Sequence, residues 1–164
     1  MLKPAALADP ATLIRPALAA DLDAVERIER EQFSNPWSRD YFAAELGNRF
    51  AHIHVAAAVP AGEIVGYLLF WRLDGELELH KIAVCRAGQR QGTGRRLLRH
   101  FLEVGRSWGC ARAVLEVRES NVAAIHLYET HAFRRVGRRK NYYCRPSEDA
   151  LVYEFDFRGG VPGS

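Results

Sequence analysis

Residues 82–106 constrain the fold of this 164-residue chain more than any other stretch. Ile82-Ala83-Val84 ends an apolar strand, and Gly88 and Gly92 mark a loop. A helix then runs from about Gly94 to Arg106, with Leu97, Leu98, Phe101 and Leu102 on one face. A buried strand feeding an amphipathic helix predicts a layered α/β protein, because each element must cover the apolar side of the other. Where such a helix begins, several backbone N–H groups lack a helical partner and point outward. Together with the helix dipole they form a site for phosphate or pyrophosphate, and Arg90 and Arg95 add positive charge.

The remaining segments agree with this class. Leu13-Ile14-Arg15 reads as a short strand stopped by Pro16, and a helix opens at Asp21 with Leu22, Val25 and Ile28 as its buried stripe. Pro36 breaks the chain, and Ser38 caps a second helix to about Leu46. Strands are predicted at 51–59, 63–71 and 77–84, with turns at Pro60-Ala61-Gly62 and Asp74-Gly75. A strand at 114–117, a helix at 121–130 capped by Asn121, and strands at 134–138 and 151–157 complete the order. That order indicates a mixed α/β sheet with helices on both faces. Residues 1–12, rich in Ala and Pro, read as a flexible leader and 158–164 as a disordered tail, leaving one domain over 13–157.

Composition removes several function classes. With 48% hydrophobic and 26% charged residues the chain is globular rather than disordered. No run approaches the roughly 18 apolar residues of a membrane span. No apolar segment follows Met1-Leu2-Lys3-Pro4, so the expected location is the cytoplasm. Cys85, Cys110 and Cys144 show no CxxC spacing and the histidines no HExxH, which predicts reduced, partly buried thiols and no metal site. The net charge of +3 is modest but clustered: arginines 86, 90, 95, 96, 99 and 106 stand against the single acid Glu103. A second basic run holds Arg134, Arg135, Arg138, Arg139 and Lys140. Such clusters suit an anion, whether nucleic acid, a phosphorylated cofactor or an acidic protein face. No nucleic-acid motif accompanies them, so no nucleic-acid partner is required.

The glycines exclude two phosphate-binding loops. A dinucleotide fingerprint needs a third glycine where Leu97 stands, and a Walker loop needs Gly-Lys-Ser/Thr. What remains, Gln89-Arg90-Gln91-Gly92-Thr93-Gly94 after an apolar strand, resembles the acetyl-coenzyme A loop of the GNAT acetyltransferase superfamily. The resemblance implies that the loop amides, from Gln89 through Gly92 and Thr93 to Gly94 and Arg95, hold the coenzyme's pyrophosphate. It also implies that Ile82, Ala83 and Val84 line its pantetheine and acetyl group, in a mostly antiparallel central sheet.

Three further stretches narrow the resemblance: Phe33-Ser34-Asn35-Pro36-Trp37-Ser38, Leu115-Glu116-Val117-Arg118-Glu119-Ser120-Asn121, and Arg138-Arg139-Lys140-Asn141-Tyr142-Tyr143. Together they are similar to the ribosomal-protein-alanine N-acetyltransferases. That branch acetylates the N-terminal alanine of ribosomal small-subunit protein 18, using acetyl-coenzyme A. By this resemblance Glu116 is the general base, Tyr128 the general acid and Asn121 a coenzyme contact. The acceptor N-terminus would enter between the 33–38 segment and a loop at 141–143, touching Trp37, Tyr142 and Tyr143.

The chemistry can be weighed independently. An α-amine titrates near 7.7–8 and must lose a proton before attacking a thioester; an ordinary Glu lies roughly 3.5 units lower, a mismatch of about 5 kcal/mol. Glu116 is therefore expected to be partly desolvated, to act through water, or to meet an amine that arrives neutral. The same machinery would serve a lysine side chain or a small-molecule amine, and the sequence leaves that alternative open. Two departures from the family pattern stand out. Lys81 takes a place where asparagine is common, and Ala132 stands where glycine is usual and disfavours a left-handed helix end.

Overall fold

The structure, a computed structural model, describes residues 11–159. Its framework is one seven-stranded sheet in the order β1-β2-β3-β4-β5-β7-β6. β1 (Thr12–Pro16), β2 (Ala51–Ala58), β3 (Ile64–Leu73) and β4 (Glu76–Val84) form an antiparallel run. β5 (Arg112–Arg118), β7 (Glu148–Asp156) and β6 (Arg134–Tyr143) form a second. β4 and β5 join the two runs, and they pair in parallel. The expected mixed sheet, mostly antiparallel, is observed.

Helices cover both faces. α1 (Leu22–Gln32) and α2 (Arg39–Leu46) close one side over Val25, Ile28, Phe42, Val55, Tyr67 and Leu69. α3 (Thr93–Ser107) and α4 (Val122–Thr130) close the other over Leu68, Leu77, Leu97, Phe101 and Leu115. The apolar stripe of α3 lies fully buried, as its spacing requires. Ser38 caps α2 by accepting from the Tyr41 amide at 3.4 Å, and Asn121 caps α4 by accepting from that of Ala124 at 3.2 Å. Arg15 at the end of β1 grips Asp21 with two nitrogens, at 2.7 and 3.0 Å, and so fixes the entry to α1.

Four expectations need correction. A leader is expected over 1–12, but Thr12 already pairs with Ala58 and Ala11 accepts from the Val59 amide at 2.9 Å; residues 1–10 and 160–164 lie outside the described residues. β6 does not stop at Arg138 but runs to Tyr143, so residues 141–143 belong to a strand rather than a loop. Its register slips between Arg139 and Tyr143, and Asn141 takes a positive φ of 49° there. Cys144 is exposed, whereas Cys85 is half-buried and Cys110 buried; all three are free thiols.

The fourth concerns Ala132, which is left-handed after all, with φ at 65°. The end of α4 forces it there. The Phe133 amide donates back to the Tyr128 carbonyl at 3.1 Å and that of Ala132 to Glu129 at 3.2 Å, while the Tyr128 and Phe133 rings pack at 5.8 Å. This closure needs a left-handed residue between its two bonds, and the contact that stabilises it is worth more than the alanine's local preference.

Candidate active site

The site begins where the sheet opens. β4 and β5 share four residue pairs, from Glu76↔Arg112 to Leu79↔Leu115, and no more. His80 is then an extra residue against β3, since Phe70 faces Leu79 and Leu69 faces Lys81. Beyond it β4 stays paired only to β3, and β5 beyond Leu115 only to β7. The two strands diverge, leaving Ile82, Ala83 and Val84 on one flank of a gap and Glu116 on the other.

The glycine loop lies at the end of β4. Arg90 (φ 61°) and Gly92 (φ 77°) are both left-handed, and Gly92 is the N-cap of α3. Only glycine adopts this conformation freely, which explains Gly92. The first helical bond runs from the Arg96 amide to the Gly92 carbonyl at 3.0 Å. Among the described residues the amides of 90–95 meet no hydrogen-bond acceptor, and Arg90 and Arg95 are exposed beside them. Such a turn of free amides, with two guanidiniums at its rim, fits a diphosphate. Gly94 leaves room: a Cβ there would lie 3.8 Å from Val84 Cγ2, at ordinary contact distance. Gln89 braces the loop, donating to the Gln32 side chain at 3.0 Å and the Val84 carbonyl at 3.3 Å, and Gln91 donates to the Ala87 carbonyl at 3.3 Å. Thr93 is buried beneath them.

On the far flank Glu116 is ion-paired with Arg139, whose Nε lies 2.9 Å from Oε1. Its interaction with the nearby Tyr142 hydroxyl raises the Tyr142 pKa. Burial first, and then the nearby Glu116, push Tyr143 up to about 12. Tyr128 is buried on α4, and desolvation, followed by the neighbouring Tyr143, lifts its phenol well above the usual value. Tyr143 is thus the electrostatic neighbour of both Glu116 and Tyr128. Among the described residues no hydrogen bond joins those two directly. Asn121 is exposed at the start of α4, with its side chain engaged in the cap.

Across the gap from Glu116, Trp37 packs on Tyr41 and Phe42 with ring centroids 5.5 and 5.8 Å apart. Here the structure supplies residues that the sequence reading missed. Glu29 is fully buried; it accepts from the Trp37 amide at 3.1 Å, from the Tyr67 hydroxyl and from the Lys81 ammonium. Desolvation lowers the Lys81 pKa and raises that of Tyr67. A signal was present: position 29 continues the Leu22, Val25 stripe at the next helical turn, so an acid there had to be buried and partnered. His80, set out by the bulge, packs at a tilt against Trp71, with ring centroids 5.1 Å apart, and lies 3.4 Å from Glu78. Among the described residues no cluster of metal-ligating side chains occurs, and no helix is long and apolar enough to cross a membrane.

Comparison with known proteins agrees with this geometry. The acetyltransferase (GNAT) family model matches residues 22–133. The chain is 37% identical over 134 residues to the [ribosomal protein bS18]-alanine N-acetyltransferase of Escherichia coli, covering 80% of this chain and 88% of that one. It is 37% identical over 143 residues to the N-alpha-acetyltransferase RimI of Mycobacterium tuberculosis, covering 84% and 87%. Among solved structures, the E. coli ribosomal-protein-S18-alanine N-acetyltransferase superposes with a TM-score of 0.83 at 31% identity, over 94% of this chain and 99% of that one.

Proposed function

Because the chain belongs to the GNAT acetyltransferase family, we propose that it acetylates the N-terminal α-amino group of a protein, with the N-terminal alanine of ribosomal small-subunit protein 18 as the favoured acceptor. The observation that carries this reading is the divergence of β4 from β5 after Leu79 and Leu115, which sets a diphosphate-binding loop and a carboxylate on opposite flanks of one gap. The names of the E. coli and M. tuberculosis relatives support the N-terminal acceptor. An enzyme of ribosomal proteins would work in the cytoplasm, where those proteins are made.

Acetyl-coenzyme A, the family's donor, supplies the thioester. The free amides of 90–95, with Arg90 and Arg95, bind its diphosphate. Ile82, Ala83 and Val84 give its arm an apolar wall and the unpaired edge of β4. Trp37, Tyr142 and Tyr143 flank the acceptor chain. Glu116 takes the proton that the α-ammonium must lose, directly or through water, while Arg139 and Tyr142 hold its carboxylate in place. Tyr128, kept protonated by burial, presents its O–H to the departing sulfur. Attack is direct, within a ternary complex; among the described residues no hydrogen bond joins the free thiol of Cys85 to a histidine that would activate it.

The test is mass spectrometry of peptides incubated with the enzyme and acetyl-coenzyme A. A peptide beginning with Ala and carrying an internal lysine should gain one acetyl group, on its first residue. Equal labelling of the same peptide with a blocked N-terminus would instead make the lysine side chain the acceptor.

A further inference from the structure

From the position of Lys81 we infer that this residue selects the acceptor by charge: its fixed ammonium rejects a cationic first side chain, favours an anionic or hydrogen-bond-accepting one over it, and leaves a small neutral residue such as alanine admitted. The inference rests on the N-terminal acetyltransferase reading and specifies its substrate class.

The argument starts from the bulge. Leu77 and Leu79 face the α3 side of the sheet. Strict alternation would send Lys81 the same way, into the apolar core. The extra residue at His80 inverts the phase, so Lys81, opposite Leu69, and Ala83, opposite Tyr67, face the α1 side. Glu116 follows Leu115, which faces α3, and therefore also points to the α1 side. Lys81 and Glu116 thus stand on one face of the sheet, on opposite flanks of the gap and just past the last pair that joins β4 to β5.

The ammonium is held firmly. The buried Glu29 accepts from it, and it lies 4.5 Å from the Phe33 ring centroid and 4.4 Å from that of Trp37. Among the described residues Glu29 is its one hydrogen-bond acceptor, and a lysine ammonium has three N–H groups. The two unused donors belong to a side chain that keeps 12% of its surface exposed, beside the residues proposed to receive the acceptor. The aromatic slot between Phe33 and Trp37, which would otherwise suit an incoming cation, is filled by the enzyme's own. The pair with Glu29 is neutral overall, but its accessible end is the ammonium, since Glu29 is fully buried, and in a partly dried pocket that end acts on its neighbours; specificity of this kind arises as much from repelling the wrong partner as from holding the right one.

The experiment measures kcat/KM on three peptides that differ only in their first residue, Ala, Glu or Lys, for wild type and for Lys81→Met. Wild type should prefer Glu-first over Lys-first by at least tenfold, and Lys81→Met should bring that ratio close to one. Removing the lysine alone leaves Glu29 buried without its cation. The double variant Glu29→Gln/Lys81→Met, neutral at both positions, gives the same reading if the single one does not melt cooperatively. A ratio that survives in the double variant while Ala-first peptide is still acetylated overturns the role of Lys81 and leaves the proposed function standing. Wild type that acetylates only a blocked, lysine-bearing peptide overturns both.

Discussion

The guanidinium of Arg139, on β6, reaches across β7 to hold the carboxylate of Glu116, on β5, at 2.9 Å. The pair is partly exposed, so it contributes no more than about 1 kcal/mol to stability. Replacing Glu116 by Gln should therefore move the melting temperature little while lowering kcat/KM by about 10²–10⁴. A larger loss of stability than of activity would assign Glu116 to the framework.

Tyr128→Phe keeps the ring against Phe133 and removes only the hydroxyl. Turnover should fall by roughly 10² at least. Burial keeps the phenol neutral above the usual titration point near 10, so the wild-type rate should show no alkaline loss from this group between pH 8 and about 10. The stability linkage has the matching sign. The unfolded tyrosine ionises first, so this contribution is complete below about pH 10 and declines as the pH rises beyond it.

His54, buried between β2 and α3, has its Nδ1 2.7 Å from Nε2 of His100, and burial lowers its pKa to about 4. In the unfolded chain the imidazole takes a proton near 6.5. Stability is thus complete above pH 6.5 and is lost as the pH falls toward 4, by on the order of 3 kcal/mol. Melting curves from pH 7 to pH 4.5 should show the decline, and His54→Phe should flatten it. An equal decline in the variant would trace the effect to the other histidines whose pKa burial lowers, His52, His80 and His100.

Gly94 separates the two properties of the helix start. The Cβ of an aspartate there meets Val84 and Leu127 at ordinary contact distance, and the residue lies in the first turn of α3, where a negative charge interacts favourably with the dipole by about 0.3–1 kcal/mol. The same charge opposes a diphosphate. Gly94→Asp should raise the melting temperature slightly without ligand and abolish the shift given by coenzyme A, which at 100 times its Kd is worth about 2.7 kcal/mol in wild type. Retention of that shift would place the coenzyme elsewhere.

Ala132→Gly should stabilise the protein. The left-handed alanine costs about 1–2 kcal/mol, and the extra freedom of glycine in the unfolded chain returns about 0.4–1 of that. A net gain of about 0.5–1 kcal/mol, seen as a rise of about 2 °C, is expected; a drop would mean that the methyl group makes a contact worth more than its strain.

How much of this was legible in the sequence depends on which interaction decides each element. The strand-loop-helix of residues 82–106 was readable because its signals are local: an apolar run, glycines and an amphipathic stripe. Both caps, Ser38 and Asn121, were readable for the same reason. The full extent of β6 was not, since an edge strand of arginines buries almost nothing and shows no alternation. Nor was the orientation of Lys81, because an inserted residue reverses every side chain after it and only pairing with β3 reveals the insertion. Ala132 shows the opposite failure: the local preference was read correctly, but the tertiary contact between Tyr128 and Phe133 overrides it.

The four-pair seam between β4 and β5 also bears on how the chain assembles. It brings together segments about 35 residues apart for only four rungs, whereas β2–β3–β4 and β6–β7 can form through neighbouring hairpins. Closing so long a loop for so few rungs is entropically costly and comes late in such topologies. The proposed coenzyme cleft is the space beside that seam, and it does not exist until the two halves of the sheet meet. Ligand capture during refolding would therefore report the final long-range closure, and a chain stalled with both halves formed but unjoined would keep most of its strand content while remaining blind to coenzyme.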